Sequence, residues 1–135
     1  LKNASKEVFL TGSCWNDAVA MSAALKSLEI SHKDKVAESI LAKGEYFCRG
    51  MCTRAKKYHL PLIMTGPFSM PYPWFEGDEN LFRIQSFCKI AANNGLYFHP
   101  HHNWFISNSH SIADLDLALD LADQAMCELL KLENS

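Results

Sequence analysis

His99, His101, His102 and His110 crowd into the stretch from Gly95 to His110, together with Asn103, Trp104 and Asn108. Imidazole exchanges protons near neutral pH and is the commonest metal ligand, so these residues could carry acid–base or metal chemistry. His99 and His101 would project to one side only if Pro100 keeps the chain extended. No third and fourth ligand stand nearby, and no second cluster has zinc-like spacing, so no metal is assigned. The block is then either a catalytic site in its own right or one wall of a site whose chemistry lies elsewhere.

Other reactive residues are sparse. Ser13, Cys14 and Ser109 could pair with a histidine, but there is no Gly-x-Ser-x-Gly elbow and no triad order can be assembled. Thr11-Gly12-Ser13 is better placed: a hydroxyl and free amides ahead of a helix can hold an anion such as phosphate. Cys48 and Cys52 lie one helical turn apart, and Gly44 and Gly50 around them indicate a face held close to another backbone. Trp15, Trp74 and Trp104 read as packing residues.

With 135 residues, 48% of them hydrophobic and 21% charged, the chain has room for one modest domain. A net charge of -2, with Lys56-Lys57 as the densest basic pair, argues against nucleic acid as a partner. No apolar run approaches the roughly 20 residues of a membrane helix, and the N-terminus lacks the layout of a signal peptide. Five cysteines without regular spacing suit reduced thiols. A soluble, cytoplasmic chain is the expectation.

The elements that must position the histidine block can be read in order. Asn16 or Asp17 can cap an alanine-rich helix to about Ile30, whose polar stripe of Ser22, Lys26 and Glu29 is narrow, so it needs apolar cover on more than one side. Val36, Ile40, Phe47, Met51 and Ala55 mark a longer helix between about Asp34 and Tyr58. Leu62 to Thr65 reads as a strand, and Met70 to Phe75 as a second extended piece that its prolines confine to an edge or loop. A helix from about Glu79 to Asn93 stops at Asn94-Gly95. Leu96 to Phe98 and Trp104 to Ser107 read as two more short strands. Ser111 with Asp114 forms a capping box for a last helix, Ile112 to about Leu132. The order predicts an α+β fold, with helices covering a small, mostly antiparallel sheet of 3–4 strands.

Together these pieces resemble the C-terminal third of the class III, fold-type I aminotransferases that use pyridoxal phosphate, and among them the glutamate-1-semialdehyde aminomutase branch. The resemblance covers nearly the whole chain. It rests on Phe9-Leu10-Thr11-Gly12-Ser13 with the helix Ala18 to Glu29, and on Gly95-Leu96-Tyr97-Phe98-His99-Pro100 with Phe105 to Asp116. It implies that Gly12 and Ser13 reach the cofactor phosphate of a neighbouring subunit in a homodimer. It implies also that His101, His102, Asn103 and Trp104 lie along the substrate channel, and that residues 1–31 form an interface loop and helix beside a small domain of residues 32–135.

The same resemblance implies what the chain does not hold. The Schiff-base lysine, the aspartate that pairs with the pyridinium nitrogen and the glycine-rich phosphate turn all belong to the family's large domain, so a large-domain partner or a full-length subunit is implied and this chain is not catalytic by itself. The alternative is a non-catalytic small domain that binds a partner or a small anion.

Overall fold

The computed structural model describes residues 17–134. The chain divides into two compact units at the junction of Lys35 and Val36, and each is taken by itself.

In the first unit Asp17 caps helix α1, Ala18–Lys33, its carboxylate accepting from the amides of Val19 and Ala20. Two orphan donors of the first turn are thereby satisfied. No residue of α1 is buried, and Val19, Leu25 and Leu28 are all exposed. Asn16, Gly12, Ser13, Cys14 and Trp15 lie outside the described residues.

The second unit follows the expected sequence of elements with one change. Helix α2 spans Val36–Lys57, strands β1 and β2 span Leu62–Thr65 and Tyr72–Phe75, and helices α3 and α4 span Phe82–Asn93 and Ile112–Glu133. Each helix buries one stripe: Phe47, Cys48, Met51 and Ala55 from α2, Ile84, Phe87, Cys88 and Ala91 from α3, and Leu115, Leu119, Ala122, Ala125, Met126 and Leu129 from α4. These stripes meet Phe75 and Leu62 in one core, where each large side chain fully removed from water contributes about 1.5–3 kcal/mol. The fold is α+β.

Helix ends are set by local chemistry. Ser111 and Asp114 form the reciprocal capping box at the start of α4. Asp78 caps α3 from outside the helix, its two oxygens accepting from the amides of Arg83 and Ile84 at 3.1 and 2.9 Å. At the end of α3, Gly95 takes φ +91°, and the amides of Gly95 and Leu96 return to the carbonyls of Ala92 and Ala91, a Schellman stop. Helix α2 ends the same way on a residue that is not glycine: His59 has φ +55°, while His59 and Leu60 donate to Lys56 and Ala55.

Strands β1 and β2 pair antiparallel, with Leu62 opposite Phe75 and Thr65 opposite Tyr72. They form a two-stranded sheet among the described residues, not one of 3–4 strands. Trp104 and Ile106 do donate to the carbonyls of Pro71 and Ser69, in antiparallel register, two residues forward on one segment for two back on the other. Pro71 has no N–H to donate in return, so a two-way ladder cannot close there. Leu96 to Phe98 pairs with no strand among the described residues.

Helix α2 lies close to the turn after β1. A Cβ built on Gly44 would come within 1.9 Å of the Phe68 carbonyl oxygen, and one on Gly50 within 2.6 Å of a Leu119 methyl. The glycines therefore mark close approach, to backbone in the first case and to a side chain in the second. Along the outer seam of α2 and α4, Arg54 pairs with Asp120 and Lys57 with Asp123, contacts worth little singly at a wet surface.

Candidate functional site

The block from Gly95 to His110 is organised by Trp104. Its indole, 7% exposed, lies on the Phe98 ring with centroids 3.8 Å apart and planes 8° from parallel. Phe47 meets Trp104 edge-on and Phe98 at a tilt, and Phe87 links Phe98 to Phe75 in the core. The indole N–H donates to the His99 carbonyl at 3.0 Å, which draws the segment from Phe98 to Trp104 into a closed bend. The Asn103 side-chain amide donates to the Met70 carbonyl at 3.0 Å. Together with the bonds to Pro71 and Ser69, this moors the block to the turn before β2.

The histidines have fixed local duties. His99 Nδ1 accepts from the His101 amide at 3.1 Å, and His110 Nδ1 accepts from the Ser107 amide at 3.2 Å. An acceptor nitrogen carries no proton, so each of these rings, when neutral, bears its proton on Nε2. His102 pairs through Nδ1 with the Asn103 carbonyl and lies 5.6 Å from the Phe105 ring. The rings of His101 and His102 stand 6.3 and 6.0 Å from that of His99, gathered by a turn at Pro100 and not by an extended strand. No group of three histidine, cysteine or carboxylate residues among the described residues could hold a metal ion.

A cleft of about 430 Å³ opens beside the aromatic stack. Asn103 and Trp104 line it, as do His99, His110 and Asp114; His101 and His102 do not. Phe98, Phe47 and Asp114, which the sequence did not single out as channel residues, also line the cleft. Phe47 comes from the buried stripe of α2, and Asp114 is the exposed capping-box residue at the start of α4. Hydrogen bonds from the Ser111 amide and then the Ser111 hydroxyl hold the Asp114 carboxyl below the usual range.

Pyridoxal phosphate needs a lysine for its imine, a cradle of donors for its phosphate and a carboxylate for its ring nitrogen. The cleft by Trp104 has no lysine or arginine in its walls. A more open hollow on the other side of Phe98 has Lys89 but no carboxylate. Neither of these two clefts fits this cofactor, and no chemical step on it is derived from their residues. Elsewhere the reactive groups are quiet: burial pushes the thiols of Cys48 and Cys88 up to about 11 and about 12. No helix among the described residues is long and apolar enough to cross a membrane.

No family model matches the chain. Known proteins do. An aminopentol aminotransferase of Sphingopyxis macrogoltabida is 33% identical over 131 residues, which are 96% of this chain and 31% of the relative. A glutamate-1-semialdehyde 2,1-aminomutase of Ruminiclostridium cellulolyticum is 26% identical over 138 residues, 93% of this chain and 32% of the relative. The solved pyridoxal phosphate internal aldimine form of a Sphingopyxis FumI protein superposes with a TM-score of 0.89 at 30% identity, covering 99% of this chain and 32% of its own. The chain spans about a third of the length of the relatives it matches. Over nearly its whole length it is similar in sequence and fold to about a third of an aminotransferase, in the second case one solved with pyridoxal phosphate.

Proposed function

We propose that the chain serves as the C-terminal small-domain part of a pyridoxal phosphate aminotransferase or aminomutase, completing a site whose lysine, aspartate and phosphate turn lie on a large-domain partner or full-length subunit. The observation that carries this is the pairing of near-complete coverage of the chain with one-third coverage of its relatives. In this reading Gly12 and Ser13 reach the cofactor phosphate across a homodimer, and His101, His102, Asn103 and Trp104 form a wall of the substrate channel. The cofactor, when bound, supplies the electron sink for amino transfer; this chain binds, orients and excludes water.

The test is a chimera in which this chain replaces the matching third of the aminopentol aminotransferase, compared with the isolated chain. The chimera is expected to load pyridoxal phosphate and turn over an amine, and Ser13→Ala to weaken cofactor loading. The isolated chain is expected to yield no site-specific lysine adduct on borohydride trapping. Such an adduct, or a folded chimera that never loads cofactor, would sink the proposal.

A second reading, a non-catalytic small domain that binds a partner or a small anion, draws on the exposed apolar side chains of α1. A chimera that folds and dimerises but stays inactive, beside a free chain that self-associates through α1, would favour it.

A further inference from the structure

Gly95 turns the chain back beside α3. The Schellman stop there brings Tyr97 to Pro100 alongside the outer stripe of the helix, where Phe82, Gln85, Ser86, Lys89 and Ala92 recur at helical spacing. Between the two segments lies a hollow of about 530 Å³, within the ~300–1,000 Å³ range of sites for small organic ligands. Phe98 and His99 line both this hollow and the cleft beside Trp104.

The polar part of this lining is rich in donors and holds no anion. Lys89 makes no hydrogen bond or ion pair among the described residues, and the side chains of Gln85, Ser86 and Tyr97 have no partner among them either. His99 Nδ1 accepts from the His101 amide, so its neutral ring offers Nε2–H. No carboxylate lines the hollow, and burial keeps the Cys88 thiol protonated, pushed up to about 12. Glu128 shares a neighbouring hollow with Lys89, but it accepts from the Asn94 side chain at 3.1 Å and forms no ion pair with the lysine. One unpaired ammonium among neutral donors matches a single negative charge, and a carboxylate has two oxygens to accept from both kinds.

The apolar part of the lining is aromatic. Phe82 and Tyr97 border the hollow although they are 67% and 78% exposed. A flat ring laid against them takes aromatic surface of both partners out of water at once.

We infer that this hollow binds an arylcarboxylate, with the carboxylate at Lys89 and the ring against Phe82 and Tyr97. Such a ligand carries no amine, ketone or aldehyde to exchange, so the inference goes beyond the aminotransferase reading and does not rest on it.

The experiment titrates the full 135-residue chain at about pH 8, where imidazole is neutral, with naphthoate, naphthylmethanol and naphthylmethylammonium, following the Ser86 and Tyr97 amides by NMR. Saturable shifts are expected for naphthoate, with naphthylmethylammonium at least about fivefold weaker, the size of one exposed charge pair. Lys89→Gln should erase that preference while leaving the naphthylmethanol affinity within about twofold, whereas Lys56→Gln on α2 should leave the preference in place. Ala92→Trp, which fills the hollow, should abolish all three; if that variant does not fold, the response to Lys89→Gln still decides. Naphthylmethylammonium binding as tightly as naphthoate, a preference that survives Lys89→Gln, or saturable shifts confined to the Trp104 cleft would overturn the proposal, as would shifts that never saturate. No arm contains pyridoxal phosphate or a large domain, so failure here leaves the aminotransferase reading intact, and failure of the chimera leaves this one intact.

Discussion

Trp104 and Phe98 stack face to face at 3.8 Å, and the same indole donates to the His99 carbonyl one residue past its stacking partner. One side chain thus fixes both the packing and the backbone path of the histidine block. Trp104→Ala should cost about 3–5 kcal/mol through the cavity left behind. Trp104→Phe should cost less, chiefly the lost hydrogen bond at about 0.5–1.5 kcal/mol and some packing. Urea unfolding followed by far-UV circular dichroism measures both, and an unchanged midpoint in Trp104→Phe would show that the indole N–H has no role.

The capping box ties the mouth of the cleft to helix stability. Ser111→Ala should destabilise the chain by about 1 kcal/mol. Because hydrogen bonds from Ser111 lower the Asp114 pKa in the folded state, that part of the stability is complete above the unfolded carboxyl value of about 3.9. It is lost as the pH falls through the lower folded value. The gap in urea midpoint between the wild-type chain and Ser111→Ala should hold steady from pH 7 to 5 and narrow below about pH 4. A gap that widens in acid would refute the assignment.

Gly44 and Gly50 should respond differently to one added methyl. Alanine in a helix interior gains up to about 1 kcal/mol over glycine, but at Gly44 the new Cβ meets the Phe68 carbonyl at 1.9 Å, where backbone must move. A net loss of about 1–3 kcal/mol is expected. At Gly50 the obstacle is a Leu119 methyl at 2.6 Å, the end of a side chain that can turn aside, so the loss should be the smaller of the two. Thermal melts of both variants give the order directly.

His59 holds a left-handed backbone at the end of α2, a conformation that costs an L-residue about 1–2 kcal/mol. His59→Gly removes that strain and adds about 0.5–1 kcal/mol of unfolded-chain entropy, so stability should rise by roughly 0.5–1 kcal/mol. A fall in the urea midpoint would mean that the imidazole makes a compensating contact.

Buried thiols should alkylate last. At pH 8, Cys88 and Cys48, pushed up to about 12 and about 11 by burial, are expected to react with iodoacetamide more slowly than the half-buried Cys52 and Cys127. Peptide mass spectrometry after timed quenching checks the order, and early labelling of Cys88 would contradict the packing of α3.

Much of the scaffold was legible before any coordinates. The recurrence of Phe47, Met51 and Ala55 located α2, and Ser111 with Asp114 marked the start of α4, because helix period and capping depend on residues only a few positions apart. The end of α2 was less visible, since a histidine carries its left-handed stop where glycine is the usual signal. Trp104 to Ser107 reads as a short strand in the sequence, but it joins no sheet. Alternation and β-propensity identify an extended segment, yet whether its amides find partners depends on the facing chain, and that chain offers Pro71.

The sequence by itself determined the helices, the extended segments of β1 and β2, the α+β class and the resemblance to the aminotransferases, all of which follow from local periodicity and contiguous motifs. Only the tertiary structure decided which block residues share a cleft. It set Asn103, Trp104, His99 and His110 along it and left His101 and His102 outside the lining. The physical reason is that a cleft is closed by side chains far apart in the chain: Phe47 from α2 and Asp114 from α4 meet the block only because α2, α3 and α4 bury their apolar stripes in one core.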